Sequence, residues 1–244
     1  MTEALPVYIG YDQREPTAFD ICRDSLLRNS SHPLHIVKLD ENALRHAGLY
    51  GREWRQEGQN RVDLGDLRPF STDFAFTRFF VPSLSLFQGW ALFCDCDILF
   101  TADISEVFAL ADERYAVMCV KHEHNPAEAS KMGGITQGAY RRKNWSSLVL
   151  WNCAHPANRS ITHFAINRRA GAWLHAFSWL KDSEIGQIPR RWNWLAGVDE
   201  PLGLTPAGIH YTLGIPGIHE GCEDTPFADL WLSAADKMQQ EAVA

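Results

Sequence analysis

The sequence predicts an α/β fold, in which buried strands alternate with helices, and two observations support this prediction. Near the N-terminus two short apolar runs, 5–11 and 34–39, flank a segment with helical spacing. Strand, helix and strand in this order imply a parallel pair joined by a right-handed crossover. A third apolar run, 90–94, follows Gly89 and suits a strand that is buried on both faces better than a helix.

The first helix is predicted from local signals after the strand at 5–11. Pro16 stands at a first-turn position, where proline loses no hydrogen bond. Apolar residues continue at helical spacing, namely Ala18, Cys22 and Leu26. The helix is therefore expected to connect the first two strands.

The middle of the chain is predicted to contain a polar segment and a longer helix. Residues 41–68 are polar and irregular, and we expect one helix and a long loop there. Residues 71–73 provide an N-cap for a helix that runs through Phe87. Arg78 falls within this helix among aromatic residues. Two interpretations stay open for Arg78: a side chain that extends to the surface, and a guanidinium directed at a phosphate or sugar.

The second half of the chain is predicted to alternate between short helices and buried strands. The segment 121–143 is long, polar and contains glycines, which is typical of a binding loop or lid. The predicted helices are 103–110, about 160–170 and about 172–180, and the predicted strands are 115–120, 148–152 and one beginning at 208.

Asp95 and Asp97 directly follow the apolar run 90–94. On an extended backbone they point to the same side, with Cys96 facing the other. Carboxylates this close repel each other unless a cation or a proton lies between them, and their oxygens suit Mg²⁺ or Mn²⁺. The alternative is a solvated pair that caps a turn. The position favours a metal, because α/β sheets bind ligands at the carboxyl ends of their strands.

The composition excludes several classes of protein. The chain has 244 residues, 45% of them hydrophobic, and its net charge of −7 argues against binding to nucleic acid or to an acidic membrane. No apolar run is long enough to cross a bilayer, and the N-terminus lacks the features of a secretion signal. Most of the six cysteines have apolar neighbours, which fits free thiols in a reducing compartment. We therefore expect a cytoplasmic protein.

Several segments together resemble the family-eight glycosyltransferases, the group of glycogenin, galactinol synthase and the bacterial lipopolysaccharide galactosyltransferases. Short bacterial proteins of the same superfamily are especially similar. The resemblance extends from about residue 5 to about residue 220. It is carried by segments 9–15, 71–79, 89–97, 143–147, 192–195 and 210–212.

The resemblance implies a GT-A fold, that is, a single Rossmann-like domain with an α/β/α sandwich around a mostly parallel sheet. We expect one glycosyltransferase domain over 1–244, with a nucleotide-binding half (1–100), a sugar and acceptor half (101–222) and a C-terminal helix (223–244). The implied activity is that of a hexosyltransferase. It uses Mn²⁺ or Mg²⁺ and transfers a sugar from a nucleotide-sugar donor, most often a UDP-sugar, to a glycan or lipid-linked acceptor with retention of configuration.

The resemblance also implies the roles of individual residues. The implied metal ligands are Asp95, Asp97 and His210. The implied nucleotide-binding residues are Gly10, Tyr11, Asp12 and Cys96. The implied contacts to the sugars are Arg78, Asn144, Ser146 and Ser147, and the implied catalytic residues are Asp182, Glu184 and again Arg78. Without the resemblance, a lone histidine at a strand end such as His210 is usually a core or surface residue.

Two other classes of function stay open. The family carries a lysine that touches the diphosphate and a tryptophan after its C-terminal histidine, whereas residues 214–217 here contain neither. This departure leaves open whether the segment closes over the diphosphate, and it is compatible with a weaker enzyme, an altered donor site or a non-catalytic carbohydrate-binding or scaffold protein. A sugar-1-phosphate nucleotidyltransferase is less favoured, because it needs a glycine-rich loop after the first strand and residues 14–16 do not form one.

Overall fold

The central feature of the fold is a six-stranded sheet. The structure is a computed structural model that describes residues 3–123, 142 and 144–243. The strands are β1 (Leu5–Gly10), β2 (Leu34–Leu39), β3 (Trp54–Glu57), β4 (Asn60–Asp63), β5 (Trp90–Cys94), β6 (Ile98–Phe100), β7 (Val117–Cys119), β8 (Leu148–Asn152), β9 (Ile185–Gln187), β10 (Trp194–Leu195) and β11 (Gly208–His210). The α-helices are α1 (Pro16–Asn29), α2 (Glu41–His46), α3 (Val81–Leu84), α4 (Ser105–Phe108), α5 (His163–Arg168), α6 (Gly171–His175) and α7 (Ala228–Val243).

The central sheet is mostly parallel, as the sequence predicts. Its order is β2-β1-β5-β8-β7-β9, and β8 alone runs against the other five strands. The strands β5 and β8 are almost wholly buried, which explains why their sequences are continuous apolar runs rather than alternating ones. Helix α1 begins at Pro16 and joins the parallel strands β1 and β2, so the predicted crossover unit is confirmed.

Two smaller sheets complete the strand arrangement. Strands β10, β11 and β6 form one of them, and β3 with β4 forms a hairpin. In the three-stranded sheet, β11 runs antiparallel to β6, and His210 lies opposite Ile98. The backbone amide of Tyr211 donates to the carbonyl of Asp97 at 3.0 Å. This pairing brings the C-terminal part of the chain to the end of β5.

The segment 41–68 differs from its prediction as a helix followed by a long loop. After α2 the chain forms the β3–β4 hairpin, whose two-residue turn begins at Gly58 with a φ of 59°. Glycine adopts this left-handed conformation without steric cost, so it suits the tight turn. The residues of β3 are all exposed, and their sequence therefore lacks the apolar alternation that indicates a strand.

The predicted helix from 71 through Phe87 is wrong in its extent. The structure has a 3-10 turn at Thr77–Phe80 followed by the single turn of α3. Residues 71–73, the predicted N-cap, do not begin a helix, and the residue before the 3-10 turn is Phe76, with no side-chain cap. Within the predicted cap, the carboxylate of Asp73 accepts from the Gln13 amide at 3.2 Å and from Arg61 Nη1 at 2.8 Å.

All six cysteines are buried and none forms a disulfide, which agrees with the predicted free thiols. Within the part of the chain that the structure describes, no helix is long and apolar enough to cross a membrane. The segment predicted as a binding loop or lid lies largely outside the described residues, as does Lys143.

Candidate metal centre

Three side chains with ligand atoms converge at the carboxyl end of β5. Each of Asp95, Asp97 and His210 offers one such atom, and these atoms all lie within 4.8 Å of one another. The side chains of Asp95 and Asp97 are 13% and 22% exposed, and that of His210 is 3% exposed. Two carboxylates and an imidazole form a donor set suited to Mn²⁺ or Mg²⁺, so these residues fit a divalent ion.

The backbone holds both aspartates where β5 ends. The amide of Asp95 donates to the carbonyl of Ser147 at 2.9 Å, just before β8 begins. The carbonyl of Asp97 is fixed by Tyr211, as described above. His210 then lies beside the pair, with its Nε2 atom 3.2 Å from Oδ1 of Asp97. Strand pairing therefore brings together residues that are far apart in the sequence.

Arg78 is buried at 5% exposure, so the interpretation of a side chain that extends to the surface is wrong. Its Nη1 atom lies 2.8 Å from Oδ1 of Asp95 and donates to the carbonyl of Ser146 at 2.8 Å. Its Nε atom donates to the carbonyl of Phe74 at 3.4 Å. The guanidinium therefore offsets one of the two clustered carboxylate charges and fixes the orientation of Asp95.

The hydroxyl groups of Ser146 and Ser147 make internal contacts. Ser146 Oγ lies 2.8 Å from Nδ1 of His175. The pKa of His175 is lowered to about 3, mainly by burial and to a smaller extent by the nearby charges of Arg78 and Arg52. Both serines are buried. These contacts make the two serines part of the framework behind the metal centre, and their predicted contact with sugars stays a prediction.

Asn144 begins the turn that leads into these serines. Its φ of 62° is in the left-handed region, which asparagine tolerates better than most residues. Its carbonyl accepts a hydrogen bond from Ser147 Oγ at 2.8 Å. The neighbouring Arg142 donates to the carbonyls of Ala176 and Phe177. Asn144 thus lies next to the framework of the site, and its predicted sugar contact also stays a prediction.

The strand end at Gly10, Tyr11 and Asp12 has strong structural constraints of its own. A Cβ atom on Gly10 would lie 2.4 Å from the ring of Phe74, so close packing requires glycine there. The buried carboxylate of Asp12 accepts hydrogen bonds from the Arg14 amide and guanidinium and from the Asp73 amide. Burial alone raises the pKa of Asp12, but the hydrogen bonds and charge of Arg14 leave it lowered overall. A predicted role in nucleotide binding is untested for these residues.

Tyr11 and Cys96, the other predicted nucleotide-binding residues, have different surroundings. The Tyr11 ring makes an edge contact with Phe19 and has the Lys38 ammonium 4.2 Å from its centroid. Cys96 is 1% exposed. Burial, followed by the charges of Asp97 and Asp95, raises the pKa of Cys96 well above its usual value, so its side chain is a neutral thiol.

The two carboxylates predicted to be catalytic have partners outside the three-residue cluster. Asp182 is 69% exposed and forms an ion pair with Arg142. Glu184 accepts from the backbone amide of Lys181 at 2.8 Å and caps its own 3-10 turn. Among the described residues the converging ligand atoms include neither carboxylate. Their catalytic role stays a prediction.

The segment 214–217, where the family lysine and tryptophan are missing, folds back towards the start of α1. Gly214 has a φ of 150°, and a Cβ atom there would lie 2.5 Å from Sγ of Cys222. The amide of Ile215 donates to Nδ1 of His219, and Nε2 of His219 lies 3.1 Å from Oε1 of Glu15. A histidine and a carboxylate therefore lie in contact next to this segment.

Asn193 is a site residue that the sequence reasoning missed. It is fully buried, and its side chain lies between Ser147 and His210. The adjacent Trp192 and Trp194 are each 2% exposed, so they belong to the core and are not available to stack on a sugar. Segment 192–195 is one of those that carry the resemblance, but the sequence reasoning assigned Asn193 no role, because its partners come from other elements.

The comparisons with known proteins identify a family for this chain. Protein CDI of Arabidopsis thaliana is 44% identical over 239 residues, which cover 96% of this chain and 87% of that protein. This chain belongs to the Protein CDI family. No model of a known protein family matches it. Arabidopsis thaliana is a plant, and the bacterial origin suggested by the resemblance stays a prediction.

Several solved structures with a fold similar to that of this Protein CDI family member are glycosyltransferases. GlyE of Streptococcus pneumoniae TIGR4 has a TM-score of 0.60 and 17% identity, over 96% of this chain and 60% of that one. The bifunctional WbbM has a TM-score of 0.61 and 16% identity, over 96% of this chain and only 50% of that one. The galactosyltransferase LgtC, solved with donor and acceptor sugar analogs, has a TM-score of 0.55 and 10% identity over 96% of each chain.

These similarities confirm the fold class for this Protein CDI family member. The chain has the GT-A architecture, with helices and a mostly parallel central sheet, and its carboxylate and histidine cluster lies at the end of a central strand. At these identities the solved structures establish the fold alone. Membership of glycosyltransferase family eight stays a prediction.

Proposed function

We propose that this chain is a metal-dependent, retaining glycosyltransferase of the hexosyltransferase type. It would transfer a sugar from a nucleotide-sugar donor, with a UDP-sugar as the first candidate, to a glycan or lipid-linked acceptor. The convergence of Asp95, Asp97 and His210 in a fold shared with glycosyltransferases is the observation that carries this proposal.

The three ligand-type residues fit the chemistry of such a transfer. Breaking the bond between the sugar and the diphosphate leaves a leaving group with additional negative charge. When bound by Asp95, Asp97 and His210, Mn²⁺ or Mg²⁺ supplies Lewis-acid stabilisation of that charge without proton transfer. Arg78 orients Asp95 as a ligand through the 2.8 Å contact. Tyr211 holds the backbone of Asp97 in register.

The remaining predicted residues have roles within the same proposal. The strand end at residues 10–12 would hold the nucleotide, with the backbone at Cys96 beside it. Asn144 and its neighbouring serines would line the sugar side. The oxocarbenium character of the sugar in the transition state would be stabilised by a carboxylate, Asp182 or Glu184. These roles derive from the family resemblance and depend on it.

A panel of nucleotide sugars, screened for metal-dependent hydrolysis, tests the proposal. We expect Mn²⁺ to strengthen UDP binding in calorimetry, and one UDP-sugar to be hydrolysed slowly only when a divalent ion is present. The Asp112→Asn variant serves as a control, because Asp112 pairs with Arg114 at the surface and should not affect either result. Glycan binding without any nucleotide affinity would instead support a non-catalytic carbohydrate-binding or scaffold protein, the alternative with which the altered 214–217 segment is compatible.

A further inference from the structure

A short chain of hydrogen bonds ends at the imidazole of His210. Ser147 Oγ donates to the carbonyl of Asn144 at 2.8 Å. Asn193 Nδ2 donates to Ser147 Oγ at 2.8 Å. Asn193 Oδ1 lies 2.9 Å from Nδ1 of His210. Ser147, Asn193 and His210 are all buried, so their polar atoms depend on one another.

The direction of this chain is determined by its first member. A backbone carbonyl only accepts hydrogen bonds, so Ser147 must use its single hydrogen to reach Asn144. The oxygen of Ser147 then has only lone pairs to offer, and it accepts from the amide NH₂ group of Asn193. The amide oxygen of Asn193 therefore faces His210, and the Nδ1 atom of His210 must carry a hydrogen.

The consequence concerns the other ring nitrogen. A neutral imidazole with its hydrogen on Nδ1 has a lone pair on Nε2. In this structure Nε2 is the atom that faces Asp97, at 3.2 Å. With the opposite tautomer, Nε2 would carry the hydrogen and donate it to the carboxylate, so Nε2 would have no lone pair for a metal ion. The tautomer imposed by Asn193 leaves the carboxylate and the imidazole as two adjacent lone-pair donors.

We propose that Asn193 is a positioning residue that holds His210 in the tautomer able to bind a divalent ion. This inference rests on the proposed function for one point, namely that the site binds a divalent ion. The hydrogen-bond chain itself is present without a metal. Partners of metal-binding histidines typically fix the tautomer and ring orientation, and their loss costs about 10- to 100-fold in metal affinity.

The tautomer itself can be measured on the wild-type protein without metal. We expect nitrogen-15 NMR of labelled His210 at alkaline pH, assigned with a His210→Gln variant, to show a protonated, pyrrole-type Nδ1 and an unprotonated, pyridine-type Nε2. A pyridine-type Nδ1 would overturn the inference. This measurement requires no mutation at Asn193 and no activity, so its outcome is independent of the proposed sugar transfer.

The Asn193→Leu variant tests the consequence for metal binding. We expect its Mn²⁺ affinity, measured by electron paramagnetic resonance with Mn²⁺ alone, to fall by about 10- to 100-fold. Asn193→Asp retains an acceptor for Nδ1 and should bind within a few-fold of wild type by the same reasoning. Asn158→Leu is the matched control, because Asn158 is equally buried but donates to the carbonyls of Ala116 and Asn152 instead.

The outcomes separate the inference from the proposed function. If Asn193→Leu folds and binds Mn²⁺ as tightly as wild type does, or if Asn158→Leu loses as much affinity, the inference is wrong. If Asn193→Leu does not fold, the Mn²⁺ affinity of Asn193→Asp and the wild-type spectrum still test the role of Asn193. Normal Mn²⁺ binding with the expected Nδ1 signal, but without hydrolysis of any nucleotide sugar, would contradict the proposed transfer and leave the role of Asn193 standing.

Discussion

The Asp97→Asn variant is expected to lose metal-dependent hydrolysis and transfer by about 1,000-fold or more while keeping its fold, since the metal ion supplies several kcal/mol of transition-state stabilisation. Asparagine keeps the shape of the side chain but removes the charge that a hard divalent ion requires. The backbone amide of Tyr211 donates to the backbone carbonyl of Asp97, so the substitution does not remove this hydrogen bond. Loss of one carboxylate also relieves repulsion from Asp95, so the melting temperature should not fall.

The measurement is nucleotide-sugar hydrolysis with and without Mn²⁺, beside a thermal melt of each protein. Asp112→Asn is the matched control, because it makes the same chemical change at the surface, where Asp112 pairs with Arg114. Full activity of Asp97→Asn would remove Asp97 from the metal centre. A large fall in melting temperature would mean that the side chain has a structural role instead.

The Arg78→Met variant is expected to lose about 3 kcal/mol of its free energy of unfolding, because it removes the guanidinium that lies 2.8 Å from the largely buried carboxylate of Asp95. The two side chains are only 6% and 13% exposed. Breaking one side of such a pair costs more than removing both charges together. The double variant Arg78→Met with Asp95→Asn should therefore be more stable than Arg78→Met alone.

Chemical denaturation of the two single variants and the double variant, without metal, measures this coupling. Arg55→Met is the control, because Arg55 and Glu57 form a surface pair with side chains 56% and 50% exposed. A surface pair of this kind contributes about 1 kcal/mol at most. Arg78 does not compensate the charge of Asp95 if Arg78→Met is as stable as the wild type. The same conclusion follows if the double variant is no more stable than Arg78→Met.

The strands that lie in the core could be predicted from the sequence, and elements with distant partners could not. Strands β1, β5 and β8 are largely buried apolar runs, and β2 is a partly buried strand that the apolar run 34–39 also predicted. The N-cap predicted at residues 71–73 was wrong, and within it the carboxylate of Asp73 binds the distant Arg61 and Gln13 instead. Such partners compete with local capping, and a local pattern contains no information about them.

The candidate site was predictable in part for the same physical reason. The spacing of Asp95 and Asp97 places them on one side of an extended chain, whereas His210 required the family resemblance. Asn193 was missed because its partners Ser147 and His210 lie 46 and 17 residues away. A buried amide between two core tryptophans looks like any other core residue until the fold brings its partners together.

Crystals of the protein with Mn²⁺ and UDP, measured at the manganese absorption edge, test the central claim most directly. We predict one anomalous peak within coordination distance, about 2.0–2.4 Å, of a carboxylate oxygen from each of Asp95 and Asp97 and of the Nε2 atom of His210. A bound UDP with no manganese among these three side chains, or an imidazole turned away from both carboxylates, would contradict the account.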